Sequence, residues 1–397
     1  MKEIQAILQA WSELGHGGHA VLATVVRVNG SAYRRPGARM LLLPDGRTIG
    51  TVSGGCLEDD LKLRAWRLTA RGEPAILRYD STSDGDIVWG LGLGCKSVID
   101  LLIERLDPDR GARPLDFLRR CIDTRQRGVL ARVVAVEGRT GADVGAFLTL
   151  DETGNSVHDL AGPELAGLVR QAAATALVEH RSLYAACQLA AGRAELFLEV
   201  VQPPLALLVC GAGHDAIPLV RLAKELGWHV TVVDPRSAYA TRERFPLADD
   251  IIVAAPEDLA GRPVLSAWEA AVIMSHNYHN DLRFLRALLP APLRYLGVLG
   301  PKSRTESLLR DLSAGGLTPT ARQTDRLYGP VGLDIGADTP EEVALAVAAE
   351  IRAMLSSRSG LPLRRSDRPI HDRPPDEIGP LVAAWNTDER VCLVEAD

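Results

Sequence analysis

The stretch that decides the fold is "LALLVCGAGHDAIPLVRLAKELGWHVTVVDPR", residues 205–236. An apolar run ends at Gly211, a helical pattern begins near Ala216, and a second apolar run ends at Asp234. Glycines between a strand and a helix permit close approach to a phosphate, and the helix N-terminus attracts an anion. An acid after the second strand accepts hydrogen bonds from ribose hydroxyls. The stretch therefore predicts a nucleotide-binding unit with Gly211, Gly213 and Asp234 as binding residues.

The pattern of strands and helices continues beyond this stretch as far as about residue 355. Apolar runs that alternate with helical patterns lie at 205–210, 229–233, 250–253, 271–274 and 294–299. Such alternation is typical of a doubly wound parallel sheet, and the prolines at 203 and 204 mark a domain boundary before it. We expect a Rossmann-like domain over residues 203–355. The alternative is that the glycines serve chain packing alone, because domains of this type can lose their ligands.

Three further segments, which carry histidine or basic residues, extend this candidate site. His214 follows the glycines directly and is either a phosphate contact or a polar residue in the first helical turn. His276 follows the strand at 271–274, where side chains face the ligand crevice. It is predicted to hydrogen-bond a ligand or to act as an acid or base; helix capping by its neighbours is the alternative. Lys302 and Arg304 follow a later glycine turn, and such a cationic turn suits an oxyanion.

Residues 1–202 mix strands and helices without regular alternation, which predicts an α+β domain. Strands are predicted at 20–30, 74–79, 98–104, 129–136, 144–150 and 195–201, with a hairpin around Pro44–Gly46. Helices are predicted at 2–14, 57–72, 114–124 and 162–177. Residues 356–397 are rich in Pro and Arg and are predicted to form a tail, whose last apolar piece either docks back or pairs with a partner.

Two cysteines follow glycines in the predicted N-terminal domain. Cys56 lies in "GTVSGGCLEDDL" (50–61) and Cys95 in "WGLGLGCKSVIDLLIE" (89–104). A helix start near Cys56 would lower the pKa of its thiol and favour the thiolate, and the glycines before both cysteines let a bulky ligand reach the sulfur. The alternative is that a free cysteine is only a small buried residue, which is the interpretation for Cys121, Cys187, Cys210 and Cys392. In "VNGSAYRRPGARML" (28–41), Arg34 and Arg35 can bind a phosphate or a partner's carboxylates, or can simply be solvated.

Composition excludes several classes of protein. The formal net charge of −6 gives no basic footprint for nucleic acid, and no apolar run is long enough to span a bilayer. The N-terminus lacks the pattern of a secretory signal. The six cysteines are scattered without a CxxC pair, which disfavours a disulfide framework or a zinc ribbon. We therefore expect a cytoplasmic protein that binds neither nucleic acid nor membrane.

Taken together, several of these motifs resemble, in order, the blocks of the XdhC/CoxI family. The blocks read "NGSAYRRPGARMLLLPDGRTIGTVSGGCLEDDL", "CGAGH" with "DPR", "SHNYHND", "YLGVLGPKSR" and "GPVGLDIGADTPEEVALAVAAEI". The resemblance implies a chaperone that binds molybdenum cofactor, as molybdopterin or its dinucleotide form. It also implies that the protein holds the cofactor during sulfuration by a cysteine desulfurase and inserts it into an apo-molybdenum hydroxylase such as xanthine dehydrogenase. Members are often homodimers.

The resemblance also assigns roles to residues. It implies that Cys56 and Cys95 contact molybdenum or its sulfur and that Glu58 is the acid of the same motif. Glycines usually follow the second cysteine in the family, whereas here Lys96 and Ser97 do, and Lys96 can instead meet a phosphate. The sequence leaves two other interpretations open. One is an NAD(P)-dependent oxidoreductase with His276 as proton donor, and the other is a partner-binding scaffold without a ligand.

Overall fold

The computed structural model describes residues 1–15, 18–30, 32–81, 97–107, 113–259, 268–367 and 392–396. These residues divide into two compact units. The N-terminal unit contains Glu3–Pro203 and the strand at 392–396, and the Rossmann unit contains 204–367 with Met1–Lys2. Among the described residues, no helix is long and apolar enough to cross a membrane.

The N-terminal unit begins with a helix and an antiparallel sheet. Its elements are α1 (Lys2–Glu13), β1 (Ala20–Gly30), β2 (Arg39–Leu42), β3 (Thr48–Gly50), α2 (Glu58–Leu68), β4 (Ala75–Asp80) and β5 (Ser97–Leu106). The sheet has the order β3-β2-β1-β5-β4. β1 is central because its first seven residues are apolar or β-branched and all are buried, so it packs on both faces.

A second antiparallel sheet completes this unit. Its elements are α3 (Arg113–Thr124), β6 (Gly128–Gly138), β7 (Phe147–Asp151), β8 (Ser156–His158), α4 (Pro163–Glu179), β9 (Leu183–Leu189) and β10 (Gly192–Val201). The sheet order is β17-β9-β10-β6-β7-β8, where β17 is the strand Cys392–Ala396 near the end of the chain. β17 pairs antiparallel with β9 within this unit. The sequence predicts no strand at Leu183–Leu189, because its three small residues lack the β-branched alternation of a typical strand.

The Rossmann unit follows the predicted alternation of strands and helices. Its elements are β11 (Ala206–Cys210), α5 (Ala216–Glu225), β12 (His229–Asp234), β13 (Asp250–Val253), β14 (Ala270–Ile273), α6 (Tyr278–Leu288), β15 (Tyr295–Val298), α7 (Lys302–Ala314), α8 (Ala321–Asp325), β16 (Leu327–Tyr328) and α9 (Pro340–Leu355). The described strands pair in parallel in the order β13-β12-β11-β14-β15-β16. The predicted doubly wound sheet is confirmed.

Two apolar cores cover the two faces of this parallel sheet. α5 and α9 pack on one face and α6 and α7 on the other, and the strands between them are buried. The strand order reverses between β11 and β14, which is the topological switch point. In open sheets of this kind a ligand binds outside the carboxyl ends of the strands at that point. The fold therefore brings the residues after Cys210 and after Ile273 to one crevice.

Candidate functional site

The N-terminal unit presents Cys56 on a short connection that we call the cysteine loop, residues 51–57, between β3 and α2. Gly54, Gly55 and Cys56 are exposed, and Cys56 carries a free thiol. Gly55 has a φ of 110°, which is strained for any residue with a side chain. A β-carbon built there meets no atom within 4 Å, so the space beside Gly55, next to Cys56, is open.

The carboxylate of Glu58, at the start of α2, holds the cysteine loop in place. It accepts backbone N–H groups from Val52 at 3.2 Å, Ser53 at 2.9 Å and Leu57 at 3.2 Å. The hydroxyls of Thr51 and Ser53 donate to the same carboxylate. The lone pairs of Glu58 are thus used by the loop itself, which makes this acid a positioning residue for the thiol.

The environment of Glu58 also fixes its charge. Burial of the carboxyl raises its pKa, but hydrogen bonds from Ser53 and Thr51 outweigh burial and lower the pKa of Glu58 to about 2. The carboxylate is therefore ionised throughout the physiological pH range, and it keeps its hydrogen bonds to the loop there. An ionised acid whose oxygens already accept the donors of a loop is a poor proton donor for chemistry.

The arginine loop, residues 32–37, lies beside the cysteine loop. A β-carbon built on Gly54 would lie 3.8 Å from two ring atoms of Tyr33, so these two loops are neighbours. Arg34 is partly buried and donates to Glu3 at 2.5 Å, whereas Arg35 is exposed. The structure thus places the loop that carries both predicted arginines next to the cysteine loop, and it pairs Arg34 with Glu3.

The other predicted cysteines differ from Cys56. Cys95, with Lys96, lies outside the described residues, and its role stays a prediction. Cys121, Cys187 and Cys210 are buried, as the small-residue interpretation predicts. Burial raises the pKa of Cys121 to about 12 and that of Cys210 well above its usual value. Among the cysteines whose side chains the structure describes, the exposed thiol is that of Cys56.

A separate cavity of about 430 Å³ lies in the N-terminal unit, between its two sheets. Its charged lining residues are paired with each other: Arg27 donates to Glu195 at 2.8 Å, and Arg78 to Asp100 at 2.7 and 2.8 Å. Cys56 does not line this cavity. The cavity is therefore a feature apart from the cysteine loop.

In the Rossmann unit, the glycine turn after β11 forms one wall of the crevice. Gly211 has a φ of 123°, and a β-carbon there would approach the Met274 carbonyl oxygen to 2.5 Å. A β-carbon on Gly213 would lie 2.7 Å from Asp215 Oδ1. Gly211 therefore requires glycine, because of its φ and the nearby backbone, whereas the atom that approaches Gly213 belongs to a side chain. His214 is exposed at the same turn.

Asp234 is fully buried at the end of β12, and its carboxylate is fully occupied. The Ala212 N–H donates to it at 2.8 Å. The side chain of Arg236 donates from Nε at 2.9 Å and from Nη2 at 2.7 Å, and its backbone N–H adds a bond of 2.8 Å. Burial raises the pKa of Asp234, but Arg236 and Ala212 outweigh burial and lower it. A ribose diol can bind this carboxylate only by displacing donors that the protein already supplies.

His276 stands at the other wall of the crevice, after β14. Its φ of 57° is rare for a residue with a side chain, and such backbone strain concentrates at functional positions. Its Nε2 lies 2.7 Å from Asp215 Oδ2, and its side chain is 61% exposed. Asp215 stands at the N-cap of α5 and is a functional candidate that the sequence motifs do not single out. The signal that could have found this pair is its position after two neighbouring strands.

The cations predicted at the start of α7 have different environments. Arg304 donates to Asp281, which is buried, at 2.6 Å and 3.2 Å, and its side chain packs against Gly300. Lys302 is exposed in the first helical turn, which contains no acidic residue. Arg304 thus supports the fold through Asp281, whereas Lys302 is exposed to solvent. Across the described residues, no group of three or more His, Cys, Asp or Glu could hold a metal ion.

Comparison with known proteins shows the family. Residues 207–351 match the XdhC Rossmann domain, and residues 14–80 match the XdhC and CoxI family. The chain belongs to the XdhC and CoxI family. The resemblance found in the motifs is confirmed, and the two matched segments of this XdhC-family chain contain the glycine turn and the cysteine loop.

Named relatives and a solved structure are similar over most of the XdhC-family chain. A Bacillus subtilis (strain 168) protein, named as a probable subunit of xanthine dehydrogenase, is 34% identical over 332 residues, 84% of this chain and 92% of that protein. Escherichia coli (strain K12) PaoD, named a molybdenum cofactor insertion chaperone, is 24% identical over 85% of this chain and 84% of its own length. A crystal structure described as that of a xanthine dehydrogenase from Bacillus halodurans has a TM-score of 0.72 and 30% identity, covering 90% of this chain and 97% of that one.

Proposed function

We propose that the protein is a molybdenum cofactor chaperone. It binds the cofactor as cargo, holds it for sulfuration by a cysteine desulfurase and inserts it into an apo-molybdenum hydroxylase of the xanthine dehydrogenase type. The observation that carries the proposal is the cysteine loop, in which Glu58 fixes an exposed Cys56 thiol beside open space. The names of the relatives from Bacillus subtilis and Escherichia coli support the same assignment.

The chemistry of a thiol suits this cargo. Soft sulfur ligands favour soft metal centres, so a thiolate can contact the molybdenum or its sulfur. A metal delivered inside a pterin complex already has most of its ligands, and the carrier needs to add one rather than a chelating set. Cys56 provides that single contact, and Arg34 and Arg35 lie on the neighbouring loop for an anionic part of the cargo.

The fixed position of the loop suits a carrier that must release its cargo. A single exposed contact dissociates more readily than a buried set of ligands. The same exposure lets a desulfurase and an acceptor enzyme reach the bound cofactor in turn. We expect the protein to act without turnover of its own and, as members of the family often do, as a homodimer.

An NAD(P)-dependent oxidoreductase is the alternative, because His276 is held by Asp215 at the switch point. The occupied carboxylate of Asp234 weighs against it, since the acid that would accept from the ribose of NAD is already bonded to Arg236. This alternative also leaves the exposed cysteine without a role. The chaperone therefore explains more of the described residues.

Transfer of the cofactor to an acceptor enzyme tests the proposal. Purified protein is loaded with sulfurated molybdenum cofactor under anaerobic, reducing conditions, freed of excess cofactor and mixed with an apo-molybdenum hydroxylase. We expect the activity of the hydroxylase to appear in proportion to the cofactor carried, and Cys56→Ser to lower it at least about tenfold. Failure of the wild-type protein to carry cofactor, combined with substrate-dependent reduction of NAD or NADP, would establish the alternative.

A further inference from the structure

Two arginines and a tyrosine form a basic cluster at the carboxyl end of β12, next to the glycine turn. The guanidinium of Arg236 lies 4.0 Å from the centre of the Tyr239 ring, and that of Arg244 lies 5.0 Å from the same centre. Arg244 Nη2 also donates to the Ala212 carbonyl at 3.1 Å. Stacking on one ring fixes both guanidinium groups beside the turn.

The cluster carries more positive charge than the described acidic residues neutralise. Asp234 neutralises Arg236, but no ion pair among the described residues neutralises Arg244. Arg244 Nε is buried and has no hydrogen-bond partner in the described structure. Arg236 uses Nε and Nη2 for Asp234, which leaves its Nη1 as a further donor on the same guanidinium. The charge of Arg244 and the Nη1 donor of Arg236 therefore remain for a ligand.

The position of the cluster indicates what kind of group it binds. In dinucleotide-binding folds, the end of the second strand meets the ribose, through an acid when the ribose is a diol and through an arginine when it bears a phosphate. Here the acid is saturated and two arginines stand at the same place. A phosphate monoester carries nearly two negative charges and three acceptor oxygens at neutral pH, which matches those donors.

We propose that the Rossmann unit recognises its ligand through a phosphate monoester bound by Arg236 and Arg244, and not through a ribose diol bound by Asp234. The proposal concerns a site apart from the cysteine loop, and it rests on the proposed chaperone function only where the monoester is that of a phosphorylated pterin. The monoester belongs either to a nucleotide or to a phosphorylated pterin, and the shared chemistry is a dianion at the end of β12.

The test is calorimetric titration of the full-length protein with two pairs of probes. One pair is 2′-AMP and adenosine, and the other is neopterin monophosphate and neopterin. We expect at least one phosphorylated probe to bind about tenfold or more tightly than its unphosphorylated counterpart, as charge-assisted hydrogen bonds require. The pair that shows the difference identifies the source of the phosphate.

Arg244→Gln is the informative variant, because Arg236 also supports the buried Asp234 and its loss affects folding. We expect Arg244→Gln to abolish most of the phosphate advantage, and Arg244→Lys to restore part of it. Arg242→Gln is the matched control, since Arg242 is a neighbour that donates to the Ala248 carbonyl. Circular dichroism verifies that each variant is folded.

Three results would overturn the proposal. The first is that adenosine and neopterin both bind as tightly as their phosphorylated forms. The second is that neither phosphorylated probe binds at millimolar concentration. The third is that Arg244→Gln leaves the phosphate advantage unchanged in a folded protein. None of these results bears on cofactor transfer through Cys56, so the two proposals fail separately.

Discussion

At the scale of the residue, one carboxylate determines where the candidate thiol stands. The cysteine loop contains two glycines, which give it no stiffness of its own. Glu58 restricts the loop by accepting hydrogen bonds from its backbone N–H groups and hydroxyls. The family motif presents the acid and the cysteine together, and the structure gives a physical reason for the pairing.

Glu58→Gln should loosen the cysteine loop and destabilise the protein by about 2 kcal/mol, since an amide nitrogen cannot accept the bonds of one oxygen. The folded pKa of about 2 lies below the ordinary value of 4.5, so this stabilisation is complete above pH 4.5 and is lost as the pH falls towards 2. Urea unfolding at pH 7 and at pH 3 should show the difference between wild type and variant shrinking at the lower pH.

Asp59→Asn is the control for this prediction. Asp59 neighbours Glu58 and pairs with Lys62 at 3.0 Å on the surface, so its loss should change stability by less than about 0.5 kcal/mol. An equal effect of the two substitutions at pH 7 would show that Glu58 does not anchor the loop.

The described cysteines should differ sharply in reactivity. Cys56 should be alkylated by iodoacetamide in the folded protein, because its thiol is exposed. Cys121 and Cys210 should stay unmodified until the protein unfolds, since both are buried and burial raises their pKa. Peptide mass spectrometry after timed labelling measures this order. Labelling of Cys210 at the rate of Cys56 would contradict the described core.

At the scale of the element, the Asp234–Arg236 pair ties the glycine turn to the end of β12. The carboxylate spans the two elements, because it bonds Ala212 in the turn and Arg236 after the strand. This acid therefore has a structural role that the fingerprint alone does not reveal. In another chain with the same motif but a different residue at the position of Arg236, the acid would be available to a ligand.

Arg236→Gln should destabilise the protein by about 3 kcal/mol, because it leaves the buried carboxylate of Asp234 without its cation. The matched surface substitution is Arg283→Gln, whose partner Glu257 is exposed, and it should cost less than about 1 kcal/mol. Urea denaturation of both variants at pH 7 measures the two costs. Equal costs would mean that solvent, rather than Arg236, neutralises Asp234.

At the scale of the whole molecule, two units with separate cores hold the two candidate sites. Both apolar clusters of the Rossmann unit draw their residues from within 205–355. We expect a fragment of residues 204–367 to fold by itself and to unfold in one cooperative transition, as compact single domains usually do. Near-ultraviolet circular dichroism and urea unfolding test this. A fragment without fixed tertiary signals would show that its fold needs the rest of the chain.

The sequence predicts the parallel sheet well because the signals there are local. Three predicted boundaries agree with the structure: β11 ends just before Gly211, α5 begins at Ala216 and β12 ends at Asp234. It does not predict β9, whose alanines carry little strand preference, nor the pairing of β17 with it, which depends on residues about 200 positions apart.

The sequence predicts where the side chains of the candidate sites lie, but not which hydrogen bonds they make. The sequence places Glu58, Asp234 and Arg304 near ligands, yet the structure gives each of them a protein partner. Periodicity and spacing fix where a side chain stands on its element. Which donors fill its lone pairs depends on packing that no local pattern encodes, and for that reason the sequence does not single out Asp215 or Arg236.

The most direct test of the central claim is the amount of cofactor that the protein retains. Wild type, Cys56→Ser, Cys95→Ser and Cys121→Ala are incubated anaerobically with molybdenum cofactor and separated from excess, and bound molybdenum and pterin are quantified. Cys121→Ala removes a buried thiol and is the control for loss of a cysteine. We predict near-stoichiometric retention by wild type and Cys121→Ala, and its loss in Cys56→Ser. Equal retention by Cys56→Ser, or none by wild type, would contradict the account.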